Sequence, residues 1–140
     1  MKIYLSEKKL TNDDFIHVSS IMHLDNAVLD GEATEIVADS FLNQFKIEDL
    51  EKVIQKIVSK MRIKSEISIQ GKDLDILILK YNRGEISIQD LNKGLIGESP
   101  VSSLINVETL QEALPKNIEV SYMSVDQQTG NFLIKGKRSK

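Results

Sequence analysis

Three carboxylates gather around one glycine in the run Asp30-Gly31-Glu32-Ala33-Thr34-Glu35. Paired carboxylates can divide the work of general acid and general base when their environments push their proton affinities apart. The same run also suits a solvated turn, since Asp-Gly is a strong turn signal. Two histidines follow different logics. His17 sits between Ile16 and Val18, so strand alternation points it to the face opposite theirs. His23 stands near Asp25 and Asp30, residue types that bind metals, but His17 and His23 in this spacing match no known ligand pattern. No metal site is expected. Cysteine is absent, which removes disulfides and thiolate centres. No Ser-His-Asp order and no phosphate-binding loop occurs.

Bulk properties narrow the classes further. The chain has 140 residues, enough for one domain with one core, and a single domain over 1–140 is expected. Hydrophobic residues make up 41% and charged residues 28%, the balance of a soluble globular protein. A net charge of −3 offers no basic field for nucleic acid, and the closing KGKRSK reads as a solvated tail. With no tryptophan, three tyrosines and four phenylalanines, stacking on bases or sugars is not expected to dominate. The start lacks the apolar run of a signal peptide, and no stretch is long enough to span a membrane. A cytoplasmic location is the default expectation.

The elements that must position these residues centre on Thr34–Leu74. There a short apolar strand, an amphipathic helix and an alternating strand follow one another, as in a parallel βαβ unit. In the helix, Ile47, Leu50, Val53, Ile54, Ile57, Val58 and Met61 repeat at three and four residues and form one apolar stripe. Glu48, Glu51, Lys52, Gln55, Lys56 and Lys60 fill the other face. Ahead of this unit, Lys2–Ser6 and Phe15–Ser19 read as strands, and Ile21–Asp30 has room for a further short strand near Ala27–Leu29. Glu35–Ala38 is the strand of the unit, and Ser40–Phe45 is a helical turn. After the unit's second strand, Glu66–Gln70, Gly71 is read as its end.

Asp73 caps a very apolar helix through Tyr81, closed by Gly84 and expected to be largely buried or to cover a partner. Ser87 with Asp90 opens another short helix. Gly94 and Gly97 bracket a loop to Pro100. Asn106 caps a last helix, Val107–Leu114, ended by Pro115. Ile118–Val125 and Asn131–Lys135 form a hairpin around Asp126–Gly130. The class is α/β, three-layered, mostly parallel, with a C-terminal antiparallel hairpin. In such sheets ligands bind beyond the carboxyl ends of the strands. That rim holds Asp39, its best-placed polar residue, together with Ser6, Ser19, Ser20, Gly71, Lys72 and Asp73.

This order of elements resembles the class I S-adenosylmethionine-dependent methyltransferases, in a compact Rossmann-like form. TEIVADSFLNQF stands where that family has a strand and short helix with a phrase such as DEIYASHVLEHF. DLEKVIQKIVSKMRIKSEISIQGKDL stands where it has a helix, a "lkpGG" turn and an alternating strand. LKYNRGEIS, LIG, NVETLQEAL and the closing hairpin resemble the elements that follow.

The resemblance implies an S-adenosylmethionine site, and the residues depart from it at the places that would hold the cofactor. The glycine-rich loop after the first strand is Ser6-Glu7-Lys8-Lys9-Leu10, without a glycine, although the backbone there must approach the cofactor closely. The acidic residue that ends the second strand and takes both ribose hydroxyls is replaced by Ser19-Ser20, and a serine brings no carboxylate. Asp25 is a substitute only if it reaches back several residues. Ser40–Gln44 lacks the family's histidine, and Arg62-Ile63-Lys64-Ser65 replaces the double-glycine turn. Three readings follow. The first is a methyltransferase-like pseudoenzyme that binds no cofactor and works through a protein partner or as a homo-oligomer. The second is an active methyltransferase with a non-standard loop. The third is an unrelated hydrolytic or nucleotide-binding enzyme using Asp30, Glu32 and Glu35.

Overall fold

The computed structural model describes residues 1–9, 12–95 and 105–140. Six strands form one sheet: β1 (Lys2–Leu5), β2 (Ile16–Val18), β3 (Ala33–Asp39), β4 (Met61–Lys72), β5 (Ile118–Val125) and β6 (Asn131–Arg138). Their order across the sheet is β2-β1-β3-β4-β6-β5. The pairings among β2, β1, β3 and β4 are parallel, and β6 runs antiparallel to both β4 and β5. The α/β class with its antiparallel end is therefore as expected.

Among the described residues five α-helices accompany the sheet: α1 (Ile21–Ala27), α2 (Leu50–Ser59), α3 (Leu74–Asn82), α4 (Ile88–Leu95) and α5 (Val107–Ala113). Alternation along the strands puts Ile3, Leu5, Ile36, Ala38, Ile67 and Ile69 on one face, all buried. Leu24 of α1, Ile54 and Ile57 of α2, and Leu110 of α5 join them in a single core. Each such side chain contributes roughly 1.5–3 kcal/mol through removal from water. The other face carries Tyr4, Val37, Ser68, Gln70 and Leu133, and none of these is buried. The layer made by α1, α2 and α5 has no equal there among the described residues.

Several expectations need correction. The segment around Ala27–Leu29 is no strand. Ser20 caps α1 by accepting from the Met22 N–H at 3.2 Å, Leu24 fills the core, and the Val28 N–H closes the helix onto the Leu24 carbonyl. A helix satisfies its backbone locally, and Leu24, with Ile21 and Ala27 partly buried beside it, packs this one onto the core. The amphipathic helix begins at Leu50, after a 3-10 turn over Ile47–Asp49, and Ile47 is 50% exposed, outside the stripe. Met61 is buried, but as the first residue of β4. Lys60, read as part of the polar face, is buried at 5% exposure because two carboxylates meet its ammonium.

β4 is also longer than expected. Arg62–Ser65 lies inside it, with an irregular register against β3 between Ala33 and Glu35. Gly71 does not end it, since pairing with β6 continues through Lys72. α3 is not a core helix: of its residues only Leu77 is buried, and Ile78 and Leu79 reach solvent. Gly94 belongs to α4, whereas Gly97–Pro100 falls outside the described residues.

The caps were legible. Asp73 accepts from the Ile76 N–H at 3.2 Å and Asn106 from the Thr109 N–H at 2.8 Å. Ser87 and Asp90 bond reciprocally. Gly84 takes a positive φ of 72° after α3, and Gly130 one of 75° at the hairpin.

Candidate functional site: the carboxyl edge of the parallel strands

β1, β2 and β3 end together, and their last residues bring Ser6, Ser19 and Asp39 to one rim. Ser6 is 4% exposed and is a closure point, not an open hydroxyl. Its Oγ donates to the Lys8 carbonyl at 2.5 Å, and its N–H donates to the Val18 carbonyl at 3.3 Å. Its own carbonyl oxygen lies 2.9 Å from His17 Nε2. A carbonyl can only accept, so this imidazole carries its proton on Nε2. The Ser6 hydroxyl, 3.2 Å from the same nitrogen, completes a knot that ties the loop after β1 to β2. His17 lies on the face predicted for it, and its Nε2 is engaged as a donor.

Asp39 is held from the neighbouring strand. The Tyr4 hydroxyl donates to its Oδ2 at 2.6 Å. Tyr4 pairs with Val37 in register, so the bond runs diagonally to the next residue of β3 on the same face. Partial burial, then the Asp39 bond and its negative charge, push the Tyr4 hydroxyl up to about 12 from 10.0. The Phe15 ring meets Tyr4 edge-on at 6.0 Å. Sequence reasoning missed Tyr4. The available signal was its place in the first strand, two residues before Ser6, where alternation excludes it from the core.

The remaining candidates separate. Ser20 is spent on the α1 cap, while Ser19 is exposed. Asp25 turns away from the rim to Lys56 and Lys60, at 2.8 and 2.7 Å, so it does not replace the missing acid of β2. Asp73 is buried and caps two helices at once, bonding Ile76 N–H with one oxygen and Val107 N–H with the other. Gly71 presses against a buried asparagine: a side chain there would come within 2.9 Å of Asn43 Oδ1. Lys72 is exposed. The acidic run is not brought together: Asp30 bonds Lys60, Glu32 accepts from the Leu29 N–H, and Glu35 pairs with Lys2 at 3.5 Å. His23 is exposed on α1. Among the described residues no group of three histidines or carboxylates could hold a metal ion.

For S-adenosylmethionine the residues present do not fit the pattern the resemblance implies. The loop that should pass close beneath the cofactor has no glycine and is closed by Ser6. The end of β2 offers the Ser19 hydroxyl where the family has a carboxylate. Of the rim's two acids, Asp39 accepts from the Tyr4 hydroxyl and Asp73 is taken by the Ile76 and Val107 N–H groups.

No family model and no curated protein matches this chain. Solved structures do. A SAM-dependent methyltransferase from Methanosarcina mazei superposes with a TM-score of 0.60 at 15% identity, over 89% of this chain and 66% of its own. A SAM-dependent methyltransferase from Thermotoga maritima gives 0.60 at 11% identity, over 89% and 63%. The N-methyltransferase NodS from Bradyrhizobium japonicum, solved with S-adenosyl-L-homocysteine, gives 0.56 at 9% identity, over 90% and 55%. The chain thus spans less than two thirds of the length of these structures. Among the described residues no helix is long and apolar enough to cross a membrane. At such low identity the likeness speaks for architecture alone, and the architecture is that of a class I S-adenosylmethionine-dependent methyltransferase-like fold.

Proposed function

We propose that this chain is a methyltransferase-like binding or assembly module without methyl-transfer activity. The observation that carries the reading is Ser6. Where the likeness calls for an open glycine loop, a buried serine closes the turn onto Lys8, Val18 and His17. Reopening it would break the hydroxyl's bond to the Lys8 carbonyl, worth about 1 kcal/mol net, before any cofactor contact formed. Ser19 at the end of β2 adds no carboxylate to repay that cost. The work of the domain then lies in contact with a protein partner or with a second copy.

Calorimetric titration of S-adenosylmethionine and S-adenosyl-L-homocysteine tests this directly. The expected result is no saturable heat and no rise in melting temperature, because a ligand that binds only the folded form must raise it. Saturable micromolar binding of either compound overturns the proposal.

The alternative is an active methyltransferase with a non-standard cofactor loop. One observation favours it: a similar structure, NodS, holds the demethylated cofactor. The same titration decides between the two. The acidic-cluster enzyme has lost its support, since Asp30, Glu32 and Glu35 have separate partners.

A further inference from the structure

The sheet face opposite the core is ordered by charge. The pairing register sets Lys2, Glu35, Glu66, Lys137 and Glu119 in one row across β1, β3, β4, β6 and β5. None of the five is buried. The row reads positive, negative, negative, positive, negative. Turned about its middle member, it becomes its own complement: Lys2 falls opposite Glu119, Glu35 opposite Lys137, and Glu66 opposite itself. That turn is the operation of a two-fold axis lying along β4, between two sheets placed face to face.

The position of the axis is selective. Placed between β3 and β4, it would set Glu35 against Glu66 and Lys2 against Lys137. Placed along β6, it would set Glu66 against Glu119. Along β3 it would leave one opposite-charge pair instead of two kinds. In the next row of the same face the turn sets Tyr4 opposite Tyr122 and Val37 opposite the stem of Lys135, and Ser68 lies on the axis, small enough to admit its copy.

We propose that this face docks a second copy of the chain in a two-fold, face-to-face dimer with its axis along β4. Five strands about 4.8 Å apart and some five residues long would bury on the order of 1,000 Å² in total, the low end for a specific interface. Sensitivity to salt follows, since the specific contacts are charge pairs near solvent. The inference deepens the assembly reading by naming the partner. Self-association and cofactor loss are measured separately, so either can fail alone.

Sedimentation velocity over a range of protein and salt concentrations tests it. The chain is expected to dimerise, and to dissociate as salt is raised. Lys137→Glu should weaken the dimer by about tenfold or more, a loss typical of a reversed interfacial charge. Glu35→Lys added to Lys137→Glu should restore it, because the two positions meet across the axis. Glu66→Gln should tighten it by removing the one like-charge encounter. A chain that stays monomeric up to about 1 mM overturns the proposal. So does a dimer whose affinity Lys137→Glu leaves unchanged, which would mean that another surface, such as the β5 edge, forms the contact. All three sites are at the surface, and matching melting curves show that the variants fold.

Discussion

Tyr4 donates its hydroxyl to Asp39 at 2.6 Å, from one parallel strand to the end of its neighbour. The bond engages Oδ2 of the carboxylate best placed on the rim where this architecture locates ligands. It also ties together two side chains on a sheet face that, among the described residues, no helical layer like that of α1, α2 and α5 covers. The edge is thus a structural joint, built from the residue best placed to be a site.

The first prediction concerns that joint. The Tyr4 hydroxyl is held neutral up to about 12, first by burial and then by Asp39. A group whose folded value is raised contributes stability that is fully present below its ordinary value and lost as pH rises through the folded one. The contribution from Tyr4 should therefore disappear between about pH 10 and 12. In an ultraviolet titration one of the three tyrosines should ionise late, and Tyr4→Phe should remove that late step. Asp39→Asn should move it toward the ordinary value, since charge repulsion is lost. A late step that survives Tyr4→Phe belongs to another residue and sinks the assignment.

Much of the scaffold could be read directly, because its signals are local. Asp73, Asn106 and the Ser87–Asp90 pair cap helices through contacts three residues long, and such contacts leave a mark in the sequence. The β3–α2–β4 unit was legible because alternation and helical periodicity differ sharply. The misses share another cause. Lys60 looked like one more polar-face residue, and only the arrival of Asp25 and Asp30 from distant segments allowed it to be buried. α3 looked like core because its composition is apolar, but burial needs a facing surface, and only Leu77 finds one. At the rim, Ser6 and Asp39 were found by position. What engages them, His17 and Tyr4, depends on strand register, which no single stretch of sequence states.

The second prediction concerns the replaced double-glycine turn. Lys64 sits inside β4 with φ at 71°, in the left-handed region where a Cβ crowds the carbonyl. Such a conformation costs roughly 1 kcal/mol for a residue other than glycine. Lys64→Gly should relieve it, and the extra freedom glycine brings to the unfolded chain offsets part of the gain. A net stabilisation of about 0.5 kcal/mol is expected, seen as a higher denaturant midpoint with an unchanged slope. Ser40, with φ at 52° just after β3, should respond in the same direction to Ser40→Gly. A fall in midpoint for Lys64→Gly would show that its side chain earns more from its surroundings than the backbone loses.

The last prediction follows Lys60. Its ammonium, on a side chain 7% exposed, bonds Asp25 at 2.7 Å and Asp30 at 2.6 Å, and so pins the end of α2 to α1 and to the turn after it. Methionine would keep the packed stem and remove the charge. With both carboxylates free to turn to water, Lys60→Met should cost only about 1 kcal/mol at neutral pH, a charged hydrogen bond discounted for its exposed partners. The pH dependence gives the sharper test. Lys56 first, then Lys60, hold the Asp25 carboxyl down to about 2. A group whose folded value is lowered contributes stability that is present above its ordinary value, about 3.9, and lost as pH falls through the folded one. The gap between wild type and Lys60→Met should therefore narrow as pH drops from about 4 toward 2. Lys60 itself is raised by the same two partners, first by Asp25, so the gap should also close in strong alkali, above 10.5. Chemical denaturation of both proteins at a series of pH values reads the gap directly. If it stays constant across the acid limb, the ammonium acts through packing alone and the ion pairs contribute nothing.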